Sequence, residues 1–325
     1  MISLAGQSPY RLVSRNFVLA YIVTMRPYLM FVSGITGIVG LAFVANTNFI
    51  GTGLIVLASF LSYGFGQALT DCFQTDTDSI SAPYRPLTQG IVRRQDFLVV
   101  SLCGLAFCVA VFAYHNPSNI FLGILGGGGL ATYTPFKRRW WAGPFYNAWI
   151  VVVLCLMATN AGTAIRAAVE SPAFLSMLLV VFFGYANFIL TGYFKDISAD
   201  RSTGYTTLPV RFGREISACV SDFFALMTIG ATVAVFVQNV NAFSSPIALL
   251  FTGAGILMMI ATQLQLHQVT TDEEAHPAIA SCLESYILIL SGIACLRRPE
   301  WSFPLAIDFL IFLITLKLRP RRSQI

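Results

Sequence analysis

The chain has 325 residues, 56% of them hydrophobic and only 11% charged, where a soluble domain carries about 25% charged residues. Uncharged runs of about 20 residues recur along its length, which excludes an ordinary soluble domain and indicates a multi-span helical membrane protein. The net charge of +5 does not point to nucleic acid, because the basic residues are spread over short segments between the apolar runs.

Residues 1–16 form a polar N-terminal segment with Arg11 and Arg15. The apolar run after it is too long for the core of a signal peptide, so no cleavable signal is expected. Spans are expected near 17–45, 51–72, 97–114, 118–135, 144–163, 172–194, 215–238, 245–267, 278–296 and 302–317. The last two are short, so the count is nine or ten. No run alternates as a strand would. The expectation is one integral domain over 1–325, closed by a basic tail at 318–325.

The distribution of Lys and Arg sets the orientation. The N-terminal segment and the loops after spans two, four and six hold twelve of them. The loops after spans one, three, five and seven hold only Arg166. The N-terminus and the loops after spans two and six are therefore expected on the cytoplasmic side. A tenth span returns Lys317, Arg319, Arg321 and Arg322 to that side, while Arg297 and Arg298 fit neither count.

Span one contains Arg26-Pro27, a charge and a helix breaker inside an apolar run. Arg26 either snorkels to the membrane surface or points into a polar cavity. Span four carries four glycines, 126–129, which indicate close backbone approach or a helix break; no GK[ST] follows, so they are not a phosphate loop. Tyr133-Thr-Pro-Phe-Lys-Arg-Arg then brings three cations to the cytoplasmic end, and Trp140 and Trp141 suit an interfacial aromatic belt. The seven cysteines form no CxxC pair and the three histidines are scattered, which gives no zinc-ligand spacing.

Two acidic stretches dominate the polar sequence. Gln67-Ala-Leu-Thr-Asp-Cys-Phe-Gln-Thr-Asp-Thr-Asp ends one long apolar run and places Asp71, Asp76 and Asp78 within eight positions, with Arg85 just beyond. Tyr193-Phe-Lys-Asp-Ile-Ser-Ala-Asp ends another and carries Asp196 and Asp200. Leu69-Thr70 and Leu190-Thr191 precede them, with Phe73 and Phe194 at equal distances after, so spans two and six read as corresponding members of two repeats. On a continuous helix Gln67, Asp71, Gln74 and Asp78 form one stripe, and Asp196 and Asp200 share a face. Carboxylates at membrane helix ends are costly and usually functional. Two such stripes can hold Mg²⁺, a hard cation that takes oxygen ligands, against a diphosphate, with nearby Arg and Lys taking up the remaining charge.

These stretches resemble the UbiA superfamily of intramembrane prenyltransferases. The resemblance runs from Arg26-Pro27 through most of the chain, and is carried by Asp71 to Gly90, by Lys195 to Gly213 with Thr207-Leu-Pro-Val-Arg-Phe-Gly, and more weakly by Tyr133 to Arg138 and Asn147. Ile80 to Pro86 looks most like the family's chlorophyll-synthase branch, a match too short to assign a substrate. The resemblance implies an all-α polytopic membrane bundle of about nine helices in two pseudo-repeats. It also implies an isoprenyl diphosphate donor, Mg²⁺ at two Asp-rich motifs, and an acceptor that is commonly an aromatic ring. Asp71, Asp78, Asp196 and Asp200 would be the catalytic metal ligands; Arg85, Lys137, Lys195 and Arg201 would meet the diphosphate; Gln67, Thr70, Gln74, Asp76 and Asn147 would stand beside them. The first motif departs from the family pattern, with Thr70 where the family has Asn and Gln74 in place of the middle Asp.

Prenyl transfer is the leading reading. The altered first motif keeps open a terpene cyclase of the same superfamily, which ionises the same diphosphate without an acceptor. A transporter would carry its charges in mid-span, and here they sit at span ends apart from Arg26 and Glu284. Glu284 is read either as a base or as a satisfied interhelical hydrogen-bonding group.

Overall fold

The computed structural model describes residues 9–44, 48–162, 165–239 and 245–319. The first eight residues and the tail from 320, including Arg321 and Arg322, lie outside the described residues. The fold is a bundle of fourteen α-helices among the described residues: α1 (Arg15–Met25), α2 (Pro27–Ala42), α3 (Phe49–Asp71), α4 (Thr75–Ser81), α5 (Arg94–His115), α6 (Asn119–Lys137), α7 (Gly143–Gly162), α8 (Ile165–Val169), α9 (Pro172–Tyr193), α10 (Ile197–Ser202), α11 (Leu208–Val237), α12 (Pro246–Leu266), α13 (Ala275–Arg297) and α14 (Ser302–Lys317). The only extended pairing among them is an isolated bridge between Arg139 and Thr206. Helices satisfy their own backbone groups, which is what an apolar surround demands.

Eight helices are long and apolar enough to cross a membrane, and α1 with α2 makes a ninth if the bent pair is one span. The expected fourth span is helical, as α6, but falls outside that set. Its glycines, threonines and Lys137 dilute a 19-residue helix. The expected single span over 17–45 is broken: α1 and α2 meet at 56°. Pro27 supplies no N–H to α1 and crowds the residue before it, and Arg26 takes a left-handed conformation, φ 52°, between the two. The seventh span begins earlier than its apolar run suggests, at Leu208, with a kink at Gly213 where φ is 83°.

The main core lies between α2, α9, α11 and α13, and α13 is buried almost throughout from Cys282 to Cys295. A second apolar cluster joins α3, α5 and α7, and a third seats α1 on α3 and α5. The two acidic stretches have the same architecture: a long helix ends, three residues break it, and a short helix follows. Those short helices, α4 and α10, meet at one end of the bundle, where the Thr77 and Thr203 hydroxyls lie 3.3 Å apart.

Candidate active site

The helix breaks after Asp71 and Tyr193 decide which side chains face inward. Because α3 stops at Asp71, the expected stripe does not run along one helix; it passes from Gln67 and Asp71 on α3 to Gln74 and Asp78 at α4. All four still line a single cavity of about 230 Å³, together with Thr70, Arg85, Lys137, Asn147, Lys195 and Asp196.

Asp71 is the hub. Its carboxylate accepts hydrogen bonds from Arg26 Nη2 at 3.0 and 3.1 Å and from Gln67 Nε2 at 2.6 Å. Arg85 Nη1 lies 3.6 Å from it and forms a closer ion pair with Asp78. Both carboxylates are almost fully buried, where an ion pair holds only if its remaining hydrogen-bonding groups are met. Lys137 Nζ donates to Gln74 Oε1 at 3.0 Å and lies over the rings of Tyr193 and Tyr205, 5.8 and 5.6 Å from their centroids. The Tyr133 and Tyr193 hydroxyls are 3.1 Å apart.

On the second motif Lys195 and Asp196 pair at 3.5 Å. Burial lowers the Lys195 ammonium, and Arg85, Arg26 and Lys137 add to that effect against the pull of Asp196. Burial alone would raise the Asp196 carboxyl; Lys195, Lys137, Arg85 and Arg26 together outweigh it and hold it below the usual carboxylate value.

Three of the expected residues lie off the cavity. Asp200 is fully buried behind it, accepting from Thr207 Oγ1 at 3.1 Å, and its Oδ1 has no partner among the described residues. Burial pushes its carboxyl up to about 6. Asp196 and Asp200 are four apart, but Asp196 stands at the N-cap position outside α10, without a side-chain capping bond, and lines the cavity where Asp200 does not. Asp76 points outward, bonded to Arg138 at 2.8 Å and to Tyr205 Oη at 3.2 Å. Arg201 is exposed on α10.

Sequence reasoning left Arg26 between two readings and did not single out Tyr63, Tyr185 or Phe188, which also line the cavity. The Arg26-Pro27 pair was the available signal; aromatic residues in membrane helices give none. Glu284 is half-buried on α13 and is not among the lining residues.

Among the described residues no three acidic, imidazole or thiol groups converge as a bare metal cluster. The reason is visible: Arg26, Arg85 and Lys195 stand between the carboxylates. The donor set nevertheless suits a hard divalent cation, since Asp71, Asp78, Asp196 and the Gln74 carbonyl offer oxygen around one cavity. It suits that cation best together with an anionic ligand that engages the four basic side chains.

The UbiA prenyltransferase family model matches residues 30–282. A digeranylgeranylglyceryl phosphate synthase of Thermococcus kodakarensis is 29% identical over 216 residues, 66% of this chain and 76% of that protein. The chloroplastic chlorophyll synthase of Arabidopsis thaliana is 28% identical over 165 residues, 47% of this chain and 41% of that protein. The chain thus aligns with less than half of the plant relative's length. Among solved structures, a UbiA homolog from Aeropyrum pernix K1 superposes with a TM-score of 0.68 at 21% identity, covering 81% of this chain and 96% of that one. A UbiA homolog from Archaeoglobus fulgidus bound to DMAPP and Mg²⁺ gives 0.63 at 16% identity, covering 91% and 96%.

Proposed function

Because the chain belongs to the UbiA prenyltransferase family, we propose that its cavity is the site at which an isoprenyl diphosphate is ionised and its isoprenyl group passed to an acceptor. One observation carries this reading: a single cavity has a charged mouth and an apolar interior. Three aspartates and four cations gather at the mouth, while Leu105, Val109, Phe112, Leu130 and Met157 line the rest. A molecule with a diphosphate head and a hydrocarbon tail matches both parts.

In this reading Arg26, Arg85, Lys137 and Lys195 bind and orient the diphosphate oxygens. Asp71, Asp78 and Asp196, with Gln74 beside them, would hold Mg²⁺, which supplies Lewis acidity toward the leaving diphosphate. Asp200 supports the second motif from behind through Thr207. The carbon–oxygen bond to diphosphate breaks and a bond from that carbon to the acceptor forms, with loss of an acceptor proton. Tyr63, Tyr133 and Tyr193 present rings to the cavity, and each aromatic face stabilises a cation by about 0.5–2 kcal/mol. Tyr185 and Phe188 on α9 favour an aromatic acceptor, which would stack on them. The positive-inside pattern supports a cytoplasmic position for this mouth and for the N-terminus.

The test is diphosphate release by purified protein with Mg²⁺ and ten- to twenty-carbon isoprenyl diphosphates, with and without aromatic acceptors. Release that depends on an acceptor, and is lost in Asp78→Ala and Asp196→Ala, supports transfer. Cyclic products without an acceptor, lost in the same variants, replace transfer by cyclisation. No release under any condition overturns both.

A further inference from the structure

The apolar arm of the cavity runs between α5, α6 and α7. Along α6 the lining extends from Lys137 at the mouth to Gly123, fourteen residue steps, or about 21 Å at 1.5 Å per step. Phe112 of α5 and Met157 of α7 line the arm as well, and both are buried.

The glycines of α6 differ in what surrounds them. A Cβ on Gly129 would meet Trp149 at 2.6 Å and Ile150 at 2.8 Å, and one on Gly123 would meet Val109 at 2.6 Å. At these two positions glycine is required for α6 to approach α7 and α5. Packing asks nothing of the kind at Gly126 and Gly127. A Cβ on Gly126 would make only an ordinary contact with Val153 at 3.5 Å, and one on Gly127 would meet nothing within 4 Å. Both line the cavity. Gly128 has equally open surroundings but does not line it. Glycine costs a helix interior stability relative to almost any other residue, and at 126 and 127 the space left free is cavity space.

Resting on the proposed function above, we propose that Gly126 and Gly127 set the length of isoprenyl chain the enzyme accepts. They leave open the part of the arm beyond the first units, and Phe112 and Met157 close it. A side chain at either position would project across the arm, leaving room for a short chain and none for a long one.

The experiment compares wild type, Gly127→Leu, Gly126→Val and Gly128→Leu for binding of ten-, fifteen- and twenty-carbon isoprenyl diphosphates with Mg²⁺, by calorimetry on detergent-purified protein. Thermal unfolding confirms that each variant is folded, and leucine is a better helix former than glycine. The expected result is a loss of tenfold or more for the twenty-carbon diphosphate in Gly127→Leu and Gly126→Val. Ten-carbon binding stays within about twofold, and Gly128→Leu behaves as wild type. Equal weakening at all three lengths, no weakening at any, or the same length dependence in Gly128→Leu overturns the inference while leaving the proposed function intact. Wild type that binds none of the three diphosphates overturns both.

Discussion

Arg26, held left-handed at the break between α1 and α2, donates from one nitrogen to both carboxylate oxygens of Asp71, at 3.0 and 3.1 Å. The residue that breaks the first span is thus the residue that fixes the first acidic motif. The break turns a charge that would otherwise lie on a lipid-facing helix into a buried partner.

That geometry separates two substitutions. Arg26→Ala removes the guanidinium and keeps the left-handed backbone, which costs a non-glycine residue about 1–2 kcal/mol. Arg26→Gly removes the guanidinium and the backbone cost together. Both are expected to weaken diphosphate binding tenfold or more, because Asp71 is left with Gln67 and the more distant Arg85. Breaking a buried pair costs about 3–5 kcal/mol of stability, and Arg26→Gly should be about 1 kcal/mol less destabilised than Arg26→Ala. Thermal unfolding reads the difference; equal stabilities would show that φ at 26 carries no cost.

Gly143 and Tyr193 make a second testable contact. A Cβ at 143 would collide with Tyr193 Oη, so Gly143→Ala must push the phenol away from Tyr133 and the ammonium of Lys137. Overpacking of this kind costs about 1–3 kcal/mol. Turnover is expected to fall with it, and the double variant Gly143→Ala with Tyr193→Phe should recover much of the stability. A double variant no more stable than Gly143→Ala would place the strain elsewhere.

Much of this arrangement was legible in the sequence, because carboxylates at the ends of apolar runs are conspicuous. Asp71, Asp78 and Asp196 could be located without a structure, as could the helical class and most spans. What failed, at the second motif, was phase. Helical spacing assumes a continuous helix, and the breaks at Cys72–Gln74 and Phe194–Asp196 reset it. The second break buries Asp200 behind Thr207, while Asp76, which lies off the stripe of Gln67, Asp71, Gln74 and Asp78 in any case and is expected at the site only from the resemblance, bonds Arg138 outside the cavity. Arg201, expected at the diphosphate only from the resemblance, is exposed on α10. α6 was legible as a helix but not as a span of ordinary apolarity, since its glycines serve packing at 123 and 129 and open space at 126 and 127.

Asp200 gives a pH signature in the metal-free protein. Burial raises its carboxyl from 3.8 to about 6, so the fold prefers the protonated acid. The stability it contributes is fully present below 3.8 and is lost as pH rises through about 6. Asp200→Asn keeps the acceptor for Thr207 and cannot ionise. Its stability relative to wild type should therefore be near zero at pH 4 and favour the variant by about 3 kcal/mol above pH 7, at 1.36 kcal/mol per unit. Chemical denaturation of chelator-treated protein across this range measures the gap. A gap independent of pH would mean that Asp200 ionises freely in the fold.

Gln74 lies between Asp71 and Asp78 in the first acidic stretch and accepts from Lys137 at 3.0 Å. Gln74→Glu preserves the shape and adds a charge to a cavity that already holds Asp71 and Asp78. At an effective dielectric near 20, a unit charge a few ångströms from a cation interacts by about 2–4 kcal/mol. Mg²⁺ binding should therefore tighten tenfold or more. The same charge ties Lys137 in an ion pair and opposes an incoming anion, so an isoprenyl diphosphate without metal should bind at least tenfold more weakly. The two shifts have opposite signs, which separates an electrostatic role for position 74 from general damage, since damage weakens both. Calorimetric titration of the variant with MgCl₂, and separately with a ten-carbon isoprenyl diphosphate in chelator, reads the two directly. If metal affinity stays unchanged while diphosphate affinity rises, Gln74 does not act on the ligands of this cavity through its charge.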